Sequence, residues 1–250
     1  MRETVADALD KIGASGREGG GRGGLGHRLG SSAAAEELYA SVWNGARAVK
    51  ARRESGDGLL REAKTQRNAW LEAAFAMLAE GGVDHVRVEP LARRLRVTKG
   101  GFYWHFKDRA ELLATMLGHW RDGRVAVIAR HVMPEAGEDA EAVLRRLLAR
   151  YLDHPNPRGV AIEMAVRDWA RHDATAAAAV AEVDRARLAH VAPLFEALGA
   201  TAGEARARAR LFYAYVFGQN LLTPGHDDPA EAARVSERIT TILLGRRGMA

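Results

Sequence analysis

The chain has 250 residues, a mass of 27.2 kDa, no cysteine and a net charge of +5. Without cysteine there are no disulfides, thiolate zinc sites, iron–sulfur clusters or cysteine nucleophile, and no run reaches the roughly 20 apolar residues that cross a bilayer. Apolar residues at 47% and charged residues at 28% suit a soluble globular chain, and abundant alanine and arginine favour helix. The N-terminus lacks the apolar stretch of a secretory signal, so a cytoplasmic location is expected.

Residues 1–62 come first. Twelve of the 26 glycines fall between Gly13 and Gly58, densest over Gly16–Gly30. Ordering such a run costs more backbone entropy than it returns in packing, so a mostly disordered extension is expected. Its arginine–glycine patch around Arg17 and Arg22 is weak support for RNA contact. Within it, Leu38, Val42, Ala46 and Val49 recur at helical spacing.

Residues 63–110 are read as a compact basic domain. They carry nine Lys/Arg and five Asp/Glu, so +4 of the whole +5 lies on 48 residues. Trp70, Ala73, Ala74, Met77 and Leu78 mark an amphipathic helix. Gly81–Gly82 ends it, with glycine free to take the left-handed C-terminal position. A second helix starts near Glu89–Pro90, where proline suits the first turn. Its inner face is Leu91, Ala92 and Leu95; Arg93, Arg94 and Arg96 point outward. Thr98 is a good N-cap for a third, short helix whose Phe102 and Phe106 share one face. Asp108 with Glu111 makes a capping box that opens a fourth. Helix, glycine turn, short helix, tight turn, short helix is a helix-turn-helix, in which the last helix enters the DNA major groove.

The stretch EPLARRLRVTKGGFYWHFKDRAELL resembles the N-terminal domain of TetR-family transcriptional regulators over about 65–115. Leu91-Ala92, Val97-Thr98, Tyr103, His105-Phe106 and the acidic-Leu-Leu ending carry the match. The resemblance implies an all-α chain with a three-helix helix-turn-helix domain followed by a helical ligand-binding and dimerisation domain. It also implies a homodimer on a palindromic operator, acting as a repressor relieved by a small-molecule effector, with no cofactor. By position, Lys99, Gly100, Gly101 and Tyr103 correspond to residues that reach base edges, and Thr98, Trp104, His105, Lys107 and Arg109 to residues that hold phosphates. Two features depart from the pattern. Consecutive glycines at 100 and 101 weaken a short helix by about 1 kcal/mol each relative to alanine, and a carboxylate at Glu89 would repel phosphate if it faced DNA.

Residues 111–250 are electrically neutral, with 18 charges of each sign, and read as helices over about 108–131, 138–153, 158–171, 173–198, 202–222 and 228–244. The resemblance gives this domain effector binding and dimerisation. Met116, His119, Trp120, Met164, Trp169, Phe195 and Phe217 are candidate pocket residues, and core packing explains each equally well. Leu211, Phe212, Tyr215 and Leu222 form one apolar stripe, and Val235, Ile239 and Ile242 a second. Two such hairpins would make a four-helix bundle about a two-fold axis; the alternative is that both stripes face their own core. The histidines lack metal-ligand spacing, so no metal is expected. Glu163, Asp168 and Asp173 read as ordinary surface charge.

Two other functions compete. One is a ligand-binding or protein-interaction module whose helix-turn-helix no longer reads DNA, supported only by the two glycines and Glu89. The other is an all-α enzyme, for which no nucleophile elbow, phosphate loop or dinucleotide fingerprint exists.

Overall fold

A computed structural model of the chain describes residues 58–152, 156–221 and 228–245. Among them are nine α-helices and no strand: α1 Gly58–Gly81, α2 Val88–Leu95, α3 Lys99–Tyr103, α4 Arg109–His131, α5 Ala140–Leu152, α6 Pro157–Trp169, α7 Ala174–Ala197, α8 Ala202–Gly218 and α9 Pro229–Leu244. The expected extension lies outside the described residues except for 58–62, which already belong to α1.

The described chain divides into two compact units. The first holds α1, α2, α3, α6, the beginning of α7 and α4 up to Val127. Its α1 buries Trp70, Leu71, Ala74, Phe75 and Leu78 on one stripe, packed against α2 and α6. At the end of α1, Gly82 takes φ +75°, which a side chain would strain, and its N–H closes on the Leu78 carbonyl at 2.8 Å. Between α1 and α2 lies a 3-10 turn, Val83–His85, followed by the fully buried Val86. Asn156 caps α6 by accepting from the Gly159 N–H at 2.9 Å, and Pro157 follows at the first turn.

Glu163 is not a surface charge: it is 2% exposed. Its carboxylate lies 3.1 Å from Arg124 Nε and 2.9 Å from Arg167 Nε, and Arg167 continues to Asp184 at 3.0 Å. A buried carboxylate must be paired to stay charged, and here two guanidiniums flank it.

The second unit holds α5, the Arg185–Ala197 part of α7, α8, α9 and the end of α4. Its core is Val143, Leu144, Leu147, Leu148, Val191, Leu194, Phe195, Phe212, Val216, Leu243 and Leu244. Thr201 and Glu204 form a full capping box at the start of α8. α7 continues through Pro193 without interruption of its span. Arg187 is buried with its guanidinium 4.7 Å from the Phe217 ring centre, a cation–π arrangement. Arg208 donates to the Leu244 carbonyl at 3.1 Å, joining α8 to the end of α9.

Candidate nucleic-acid interface

The short helix α3 cannot be stable alone, since five residues barely exceed one turn. Three contacts hold it. Thr98 Oγ1 accepts from the Gly101 N–H at 3.4 Å, capping the helix as its sequence predicts. Phe102 is fully buried, edge-on to Trp70 with ring centres 5.5 Å apart and stacked on Phe106 at 5.4 Å. Beyond α3, Asp108 accepts from the Glu111 N–H at 2.8 Å while Glu111 accepts from the Lys107 N–H at 2.7 Å.

Anchoring Phe102 inward turns the neighbouring side chains outward. Trp104 is 88% exposed and Tyr103 52%. Thr98, Lys99, Gly100 and Lys107 are exposed as well, while Gly101, His105 and Arg109 are partly buried. An exposed tryptophan next to an exposed tyrosine is expensive in water unless something covers them. The flanking segments carry exposed cations: Lys99 and Lys107, with Arg93 and Arg96 on and after α2.

Two of the expected contact residues, Arg109 and His105, are shaped by their surroundings in the chain. Arg109 donates through Nε to the Val86 carbonyl and through Nη2 to the Val83 carbonyl, both at 2.6 Å, and so ties the start of α4 to the turn after α1. His105 has its pKa held below the usual imidazole value by burial and by the Arg67 guanidinium, so it is neutral at pH 7 and offers an N–H rather than a charge.

Sequence reading missed three arrangements of a cation with a carboxylate. Arg67 of α1 donates to the His105 carbonyl at 3.0 Å, pairs with Glu111 at 3.3 Å and lies 4.5 Å from the Phe106 ring centre; it braces the end of α3 from the far side. Arg94 grips Glu80 with two bonds of 2.7 Å. Lys99 Nζ lies 2.5 Å from Glu89 Oε1, across the helix-turn-helix. That bond and the partner's opposite charge lower the Glu89 pKa and raise that of Lys99, so both stay charged at neutral pH. Partners 10 to 44 residues apart leave no periodic signal in a sequence.

The candidate pocket residues divide between the units. Met116, His119, Trp120, Met164 and Trp169 lie on α4 and α6 of the first; Phe195 and Phe217 lie in the second. Met116, Trp120, Trp169 and Phe195 are buried, and His119, Met164 and Phe217 partly so. His119 Nδ1 and Trp120 Nε1 are buried and make no hydrogen bond among the described residues, and burial holds the His119 pKa down. No group of His, Asp or Glu among the described residues is arranged to hold a metal ion. No helix among them is long and apolar enough to cross a membrane.

Of the expected dimer residues, Leu211, Val235 and Ile242 are exposed at 60%, 45% and 73%. Tyr215 and Ile239 are partly buried, and Phe212 is fully buried in its own unit. Leu222 lies outside the described residues.

Residues 71–116 match the profile of bacterial regulatory proteins of the tetR family. The chain is 32% identical over 101 residues to the class D tetracycline repressor protein of Escherichia coli, covering 36% of this chain and 43% of that protein. It is 27% identical over 94 residues to the HTH-type transcriptional regulator AcrR of Shigella flexneri, covering 37% and 42%. These matches span less than half the length of either relative. Among solved structures, a transcriptional regulator from Rhodococcus superposes with a TM-score of 0.56 at 23% identity, over 72% of this chain and 94% of that one. A transcriptional regulator from Streptomyces coelicolor does so with 0.52 at 22%, over 71% and 99%. At these identities the superpositions establish the fold.

Proposed function

We propose, from the match of residues 71–116 to the profile of tetR-family bacterial regulatory proteins, that the chain is a cytoplasmic, dimeric transcriptional repressor that binds a palindromic operator and is released by a small molecule. The observation that carries this reading is the face of α3, where an inward Phe102 leaves Tyr103 and Trp104 exposed between segments that carry cations. Lys99 donates to guanine O6 or N7 and Tyr103 meets a thymine methyl. Thr98, Trp104, His105 and Lys107 hold phosphates, and Arg109 secures the start of α4, two residues after Lys107.

Selection from random duplexes with the full-length protein at low salt is expected to enrich one palindrome with half-sites about 34 Å apart. Tyr103→Ala is expected to weaken binding to it by about tenfold or more with an unchanged melting temperature. Enrichment of no palindrome by the wild type overturns the proposal. Unchanged affinity in Tyr103→Ala would instead support a helix-turn-helix that no longer reads DNA.

The paired glycines sharpen this. A Cβ at Gly100 or Gly101 would meet only Thr98 Oγ1, at 3.7 and 4.0 Å, which is ordinary contact. Nothing inside the chain requires glycine there, so close approach to DNA is the reason we assign. Gly101→Ala is therefore expected to raise stability by about 1 kcal/mol while lowering operator affinity. Thermal unfolding beside a gel shift checks both signs, and an increase in both would remove the DNA explanation.

The effector reading draws on His119 Nδ1 and Trp120 Nε1. A buried polar atom without a partner costs about 1–3 kcal/mol, and a ligand oxygen accepting from the indole N–H would recover it.

A further inference from the structure

The Lys99–Glu89 pair unites the two residues that stand out from the basic surface around them: the lysine best placed to reach a base and a carboxylate where anions should be unwelcome. Glu89 lies in the first turn of α2 and Lys99 opens α3. Their charged atoms are 2.5 Å apart and both side chains are more than half exposed, at 56% and 53%. A lone carboxylate beside DNA meets phosphate repulsion; one already bonded to an ammonium presents a neutral dipole with a donor end and an acceptor end.

We infer that Glu89 and Lys99 act as one zwitterionic reader of a single G·C base pair in each half-site, with Lys99 donating to guanine and Glu89 accepting from the cytosine amino group. The inference rests on the DNA-binding reading above. In the major groove a G·C pair presents guanine O6, an acceptor, beside cytosine N4–H₂, a donor. The two are themselves hydrogen bonded, roughly 3 Å apart, close to the spacing of Lys99 Nζ and Glu89 Oε1. A T·A pair offers a similar acceptor–donor order through thymine O4 and adenine N6. It differs at the flanks, where guanine N7 gives the ammonium a second acceptor and thymine gives it a methyl. On the other side adenine N7 faces the carboxylate with a lone pair, whereas cytosine shows only a C–H. The dipole therefore selects G·C over T·A at both ends. Because its two ends sit on different helices, its direction in the groove is set by docking, which separates G·C from C·G.

The test is selection from random duplexes with the full-length wild type, Glu89→Gln and Lys99→Met, each scored position by position. The wild type is expected to prefer G·C over T·A by about tenfold at one position per half-site. In Glu89→Gln the amide donates as well as accepts, so it tolerates adenine N7 and the preference there falls to within about threefold. Lys99→Met is expected to lose the preference at the same position and no other. If the wild type enriches nothing, the DNA-binding reading fails and this inference with it. If the wild type enriches a site but Glu89→Gln keeps the same preferences, or only binds all sequences more tightly, the inference alone is overturned and Glu89 is a charge partner without a reading role. Changes at different positions in the two variants also overturn it.

Discussion

Phe102→Ala is expected to destabilise the helix-turn-helix unit by about 3–5 kcal/mol, the range for truncating a buried aromatic, and to abolish operator binding. Phe102 has no exposed surface and touches three rings, Trp70, Tyr103 and Phe106. The five-residue α3 has almost no stability of its own, so this side chain decides whether the helix exists. Its loss leaves a cavity against Trp70 and frees Tyr103 to take other rotamers. Phe102→Leu keeps most of the volume and is expected to cost much less. Thermal unfolding by circular dichroism reads the first effect and a gel shift the second. A Phe102→Ala protein that melts like the wild type would show that α3 is held by its cap and by Arg67, without need of the ring.

Much of this architecture was readable from the residues. Thr98, Asp108 and the Gly81–Gly82 pair act locally, within three or four positions, and their roles follow from backbone chemistry that any helix end shares. The inward turn of Phe102 and Phe106 follows from helical spacing in the same way. The site's charge arrangement was not readable. Arg94, read as an outward cation, grips Glu80; Arg109, read as a phosphate contact, has its guanidinium on the Val83 and Val86 carbonyls. Which carboxylate or carbonyl an arginine meets depends on how helices cross, and that is not a periodic property. Glu163 shows the same limit in the body: only the packing of α6 beside Arg124 and Arg167 buries it. In the apolar stripe of α8, neighbours one residue apart point about 100° apart on a helix, so Leu211 is exposed where Phe212 is fully buried. Composition alone does not separate them.

That separation leads to the second large effect. On α8 and the turn that follows it, Ala207, Leu211, Ala214, Gly218 and Leu221 follow one another at intervals of four, three, four and three residues. This is the spacing of a helix–helix seam, and its members are exposed apart from the partly buried Gly218. Leu221, at 76% exposed, is the most open large aliphatic side chain among the described residues. On α9, Val235 and Ile242 lie on one face and are also open to solvent. Large apolar residues at this density on adjacent helices favour cover by another protein, and under the dimer proposed above a second copy is the partner that a palindrome requires. The small residues between the leucines let two helices approach closely. Leu211→Asp puts a charge in the middle of that seam, where its twin from the second copy would face it, and is expected to yield monomers in sedimentation velocity. The DNA consequence follows from splitting the binding free energy between two half-sites. A specific dimer typically binds at 10⁻⁸–10⁻¹¹ M, and a monomer retaining one half-site should lose on the order of a thousandfold in affinity. Met133→Asp, at a residue 57% exposed that belongs to neither α8 nor α9, is the matching control and should leave assembly and binding unchanged. A Leu211→Asp protein that remains dimeric and keeps its operator affinity would assign the assembly surface to some other face.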